Sequence, residues 1–143
     1  MKKYLLLFFA GILFSDCSDK CQDSALPPPS YFIDIVDAST NENVFATNTY
    51  SSVYIDVFAN GENNVYFDFI GAGFNYIHVI PPDQSNGLYI WLSEDKQIPI
   101  TYITQSTVDD CNDYYTITDL ETPGNTSEFF VDSEGTIVLR IKI

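Results

Sequence analysis

From Tyr31 onward, apolar and polar residues alternate with a period of two, in short runs separated by turn residues. That alternation sends successive side chains to opposite faces of an extended strand. Tyr31-Phe-Ile-Asp-Ile-Val36 opens the series, and the cluster Asp37-Ala-Ser-Thr-Asn-Glu-Asn43 closes it as a turn. In residues 53–58, Val53, Ile55 and Val57 are expected on the inner face, with Tyr54, Asp56 and Phe58 opposite. Residues 65–70 follow Asn60-Gly61, with Asp68 on the face away from Phe67 and Phe69. Residues 74–80 end at Pro81-Pro82, because proline cannot donate to a β-ladder.

The second half repeats the pattern. Asn86-Gly87 is a strong turn signal, and in residues 88–93 Leu88, Ile90 and Leu92 share a face opposite Tyr89 and Trp91. Glu94-Asp95-Lys96 turns the chain into a strand over 98–104, and 105–113 reads as a polar bend. Strands are expected over 114–120, 129–131 and 136–143, with turns at Thr122-Pro-Gly-Asn125 and Ser133-Glu-Gly135. In the last strand Ile137, Leu139, Ile141 and Ile143 are expected inside, and Val138, Arg140 and Lys142 outside. Eight or nine strands with no segment of helical period predict an all-β, antiparallel β-sandwich. A closed barrel is the alternative. A transmembrane barrel is excluded, because its strands need an apolar lipid-facing band, and the outward positions here carry Asp34, Asp56, Asp68, Arg140 and Lys142.

Residues before Tyr31 follow another rule. Lys2 and Lys3 precede an apolar run of eleven residues, 4–14, and then Ser15-Asp16-Cys17. A basic start, a short apolar stretch and a break are the pattern of an export signal. As a helix the run would be about 16 Å long, against the roughly 30 Å that a hydrocarbon core requires. Leu13-Phe14-Ser15-Asp16-Cys17 resembles a bacterial lipobox, with Asp16 where a small residue is usual. The resemblance implies cleavage before Cys17 and lipid on its thiol and amine, enough to hold a domain on a membrane. Three parts are expected: a lipoprotein signal peptide over 1–16, a lipidated cysteine and flexible linker over 17–30, and the β-sandwich over 31–143. Pro27-Pro28-Pro29 favours an extended spacer in the linker.

Charge narrows the partners. The chain has a formal net charge of −14, and beyond Cys17 it carries four basic residues against nineteen acidic ones. Nucleic-acid binding requires clustered Lys and Arg, so it is not expected, and attachment to anionic lipid would have to come from the acyl chains. The acids also serve simply to keep an exported β-rich protein soluble. Cys21 and Cys111 form an even pair beyond Cys17 and are candidates for a disulfide outside the cytoplasm. A loop of roughly 90 residues closed in this way would stabilise by at most about 4.5 kcal/mol.

Taken together, the Cys17 leader, the proline linker, Ile35-Val-Asp-Ala-Ser-Thr-Asn-Glu-Asn-Val-Phe45, Asp109-Asp-Cys-Asn-Asp-Tyr-Tyr115 and the closing strand from Gly135 to Ile143 carry a resemblance. The chain is similar to small cell-envelope lipoproteins of Bacteroidota-type bacteria that carry one immunoglobulin-like or transthyretin-like sandwich. The resemblance implies an envelope location, with the outer membrane as the expected site of the anchor, and the fold. It supplies no catalytic residue.

The residues present restrict the chemistry further. A hydrolase needs a nucleophile, a base and an oxyanion site within reach of one another. Gly-x-Ser-x-Gly, His-Glu-x-x-His and phosphate-cradling glycine loops are absent from the sequence, and His78, the single histidine, lies within a strand pattern. No enzyme activity is expected. No cofactor is expected either; Ca²⁺ is the one candidate. Asp109, Asp110, Asn112 and Asp113 could supply hard oxygen ligands, as could Asp37, Asn41, Glu42 and Asn43. Turns also favour Asp and Asn for their own backbone bonds, and that reading is preferred. Tyr89 and Trp91 could stack on sugar rings if exposed, but large aromatics usually fill a sandwich core, so burial is expected. The expectation is a lipid-anchored, non-catalytic binding or adhesion module with a protein or glycan partner. A carbohydrate- or calcium-binding accessory of an envelope uptake system is the alternative.

Overall fold

The protein is described by a computed structural model covering residues 27–59, 65–70, 76–83, 85–108, 113–133 and 135–143. Among these residues nine strands run in chain order: β1 (Tyr31–Val36), β2 (Asp56–Ala59), β3 (Phe67–Ile70), β4 (Tyr76–Val79), β5 (Gly87–Ser93), β6 (Lys96–Val108), β7 (Asp113–Glu121), β8 (Thr126–Val131) and β9 (Ile137–Lys142). They form two sheets, ordered β3-β4-β1-β9-β8 and β2-β5-β6-β7. The fold is an all-β sandwich, and among the described strands every pairing but one is antiparallel. β1 and β9 run parallel, from Phe32 opposite Val138 to Val36 opposite Lys142. Parallel neighbours need a long connection, and here the whole rest of the domain supplies it.

The alternating runs pack where the two sheets face each other. Ile33 and Ile35 of β1, Ile77 and Val79 of β4, and Leu139 and Ile141 of β9 meet Val57, Leu88, Ile90, Ile98 and Ile100 of the second sheet in one core. These side chains are mostly β-branched, which suits a pleated, half-buried surface. Phe45 enters from the loop after β1 and meets Phe69 edge to face, ring centroids 5.3 Å apart. Asn41 in the preceding turn has φ 58, the left-handed conformation that Asn adopts more readily than most residues.

Four expectations are corrected. Residues 53–58 do not form one strand: Ser52–Tyr54 is a 3-10 turn capped by Ser51, so Val53 points into water at 81% exposure. The polar bend expected over 105–113 is strand as far as Val108, because β6 continues as the partner of β7. In β9, Ile137 is exposed while Val138 is buried. Val138 lies on the outer face with Phe32 and Phe130 as its register partners on either side, whereas Ile137 pairs with Val131 on the β8 edge strand. Phe129, Val131 and Ile137 are all exposed, and no described element covers this β8 margin of the five-stranded sheet. Asp34, expected outside in water, is only 3% exposed.

Asp34 lies on the outer face opposite Arg140. Arg140 Nε donates to Asp34 Oδ2 at 2.8 Å, and Asn43 Nδ2 donates to Oδ1 at 2.8 Å. The guanidinium also sits 4.3 Å above the centre of the Phe130 ring, an arrangement that attracts the cation to the ring face. Both carboxylate oxygens thus exchange water for fixed donors.

Candidate functional site

The outer face of the four-stranded sheet is built on three strands. β5 alternates buried Leu88, Ile90 and Leu92 with exposed Tyr89 and Trp91. The sidedness follows the sequence pattern, but the burial expected of Tyr89 and Trp91 is corrected: they keep 39% and 37% exposure. The five-stranded sheet packs the Leu88–Ile90–Leu92 side, and no described element covers the other.

Register places specific neighbours beside each ring. Trp91 lies between Asp56 of β2 and Gln97 of β6, and Tyr89 lies between Phe58 and Pro99. Directly opposed residues have Cβ atoms about 4.5–5.5 Å apart, so each row is a continuous patch. One row is aromatic and apolar. The other is an indole flanked by a carboxylate and a carboxamide, both exposed. Phe58 meets Trp91 edge to face, centroids 5.9 Å apart and planes at 70°, which steadies the indole. Pro99 fits because β7 does not begin pairing with β6 until Thr101, so no ladder partner on that side needs its missing N–H.

Sequence reasoning singled out Tyr89 and Trp91 but not Asp56, Phe58, Gln97 or Pro99. The usable signal was that Asp56 and Phe58 share one side of their run. That β2 pairs with β5 is a tertiary fact.

Other candidates fall elsewhere. Cys17, Cys21, Cys111, Asp109, Asp110 and Asn112 lie outside the described residues, as does the side chain of Asp113, whose backbone opens β7. The second acidic loop is described, and two of its side-chain oxygens, Asp37 Oδ1 and Asn43 Oδ1, are engaged within it. Asp37 Oδ1 accepts from Ser39 N at 2.8 Å, from Thr40 N at 3.0 Å and from the Ser39 hydroxyl. The Ser39 hydroxyl bond, aided by the two amides, holds the Asp37 carboxyl below its ordinary value. Asn43 Oδ1 accepts from Phe45 N and Ala46 N at 2.9 and 3.0 Å. These bonds close the turn. Among the described residues there is no cluster of three or more His, Cys, Asp or Glu able to hold a metal.

His78 stacks on Phe32, its register partner, with centroids 4.8 Å apart and planes at 20°. At the end of the sandwich where β1 begins, Tyr102 donates its hydroxyl to Ser85 Oγ at 3.0 Å, and Ser85 donates to the Gly87 carbonyl at 2.7 Å. Burial raises the Tyr102 phenol above its ordinary value. Beside it, Tyr31, Val79, Leu120 and Leu139 help line a cavity of about 10 Å³, near the space of a single water and too small for a substrate. Compared with protein families, curated proteins and solved structures, the chain has no significant match in any of the three.

Proposed function

We propose that this is a non-catalytic binding module of the cell envelope, anchored by lipid on Cys17, that takes a glycan on the outer face of its four-stranded sheet. The observation that carries the reading is the exposure of Tyr89 and Trp91 side by side on one open strand face. A sugar ring has an apolar C–H face and a polar rim. Flat aromatic surfaces match the first, and hydrogen-bonding side chains alongside match the second. Asp56 and Gln97 stand in those flanking places. The stacking of His78 on Phe32 favours a structural role for the histidine over a catalytic one.

Trp91 is the single tryptophan of the chain, so its fluorescence reports on this face alone. Titration with a binding oligosaccharide should shift and enhance the emission. Trp91→Ala should lower affinity at least tenfold, measured by calorimetry, while leaving the far-UV spectrum unchanged. Equal binding by Trp91→Ala would remove the platform from the account. The anchor is tested separately: Cys17→Ala should move the protein from the membrane fraction to the soluble one, and retention in the membrane would sink that part.

A further inference from the structure

The row Asp56–Trp91–Gln97 is not symmetric, and its asymmetry bears on which glycan fits. Resting on the glycan reading above, we propose that this row, with Tyr89 one step along β5, selects neutral oligosaccharides of at least two units and turns acidic glycans away. Asp56 is the residue that sets the selectivity.

Length comes first. Tyr89 and Trp91 are two residues apart on one strand, which places their positions about 6.7 Å apart at a rise of 3.3–3.4 Å per residue. A single sugar ring centred on one of them leaves the other open to water. A chain lying along β5 covers both, with its rims toward β2 on one side and β6 on the other. Affinity therefore grows from one unit to several.

Charge comes second. On the β2 side the rim meets the exposed carboxylate of Asp56, which when ionised accepts hydrogen bonds and donates none. Hydroxyl groups satisfy it. A uronate or sulfate in the same place faces it directly, within the screening length of about 8 Å at physiological salt. The rest of the molecule reinforces this local repulsion, since the chain carries a net charge of −14. On the β6 side the Gln97 carboxamide both donates and accepts, so it serves hydroxyls of either orientation and adds no charge. Phe58 and Pro99 flank Tyr89 with apolar surface, so the second unit is held by stacking and polar discrimination is left to the Asp56 row.

The test uses the full chain in detergent, with Trp91 fluorescence as the readout. The probes are neutral gluco-, manno- and xylo-hexasaccharides, the corresponding monosaccharides, and hexagalacturonate. Asp56→Asn is compared with Asp68→Asn, which removes the same charge from an exposed position on β3 of the other sheet. The expected result is that at least one neutral hexasaccharide binds tenfold or more tightly than its monosaccharide and than hexagalacturonate. Asp56→Asn should then narrow the neutral-to-acidic ratio at least threefold, while Asp68→Asn leaves it within error. Hexagalacturonate binding as well as the neutral probes, or equal narrowing by Asp68→Asn, would overturn the selectivity and leave glycan binding standing. Silence from every probe would overturn both.

Discussion

At the scale of single residues, Asp34 shows how a charge can be taken out of water without an uncompensated cost. It loses solvent on the outer face of β1 and receives one donor on each oxygen, from Arg140 and Asn43. Removing one partner of such a pair strands the other, which costs about 3–5 kcal/mol when both are fully buried. Arg140 keeps 31% exposure of its side chain, so its charge can recover some water. Asp34→Ala is therefore expected to destabilise by about 2–3 kcal/mol, read as a lower urea midpoint with an unchanged slope. Adding Arg140→Met should restore part of that loss. An Asp34→Ala midpoint equal to wild type would show that the ion pair contributes nothing net. The alternation of 31–36 placed Asp34 correctly on the outer side. Its burial depends on Arg140, 106 residues away, and no local pattern carries that.

At the scale of elements, the β6–β7 ladder contains the departure from period two that matters most. Thr101 pairs with Glu121 and Ile103 with Thr118, so Asp119 and Leu120 together oppose Tyr102. Asp119 takes φ 52 there. One extra residue resets the alternation, which is why Ile117 and Leu120 both pack against the core although three positions apart. Left-handed backbone strains most L-residues by about 1–2 kcal/mol, Asp less than most and Gly least. Asp119→Gly is thus expected to leave the melting temperature unchanged or raise it slightly. Asp119→Val should destabilise by about 1–2 kcal/mol in thermal unfolding. If both variants melted alike, the bulge would not depend on that conformation. Strand existence was legible in this region, but the bulge was not, because Asp in a strand run resembles any other outward polar residue.

For the whole molecule, the net charge of −14 opposes compaction by self-repulsion. Among the described residues two ion pairs act against it, Asp34–Arg140 and Glu128–Lys142, the latter at 3.5 Å and partly exposed; a pair of that second kind contributes little. Raising sodium chloride from about 10 mM to about 0.5 M shortens the screening length from roughly 30 Å to a few Å. Repulsion spread over the whole surface is reduced more than one short, buried contact. The melting temperature at neutral pH is expected to rise with salt over that range. A falling melting temperature would mean that the ion pairs outweigh the repulsion.

The sequence alone determined most of the strand-and-turn grammar, apart from the 3-10 turn at Ser52–Tyr54 and the continuation of β6 to Val108. A period of two with apolar β-branched residues can bury one face only as a strand, and the Asn, Gly and Pro clusters mark where the chain must turn. Sidedness within β5 followed for the same reason, so Tyr89 and Trp91 were known to share a face. The tertiary structure decided which faces are covered. Burial is a relation between segments far apart in the chain: Val138, paired between Phe32 and Phe130, is buried, while Ile137, next to it, stays exposed beside β8. It also set β1 beside β9 in parallel, and β2 and β6 on either side of β5. That last arrangement places Asp56 and Gln97 beside Trp91 and makes one open strand face a surface with its own chemistry.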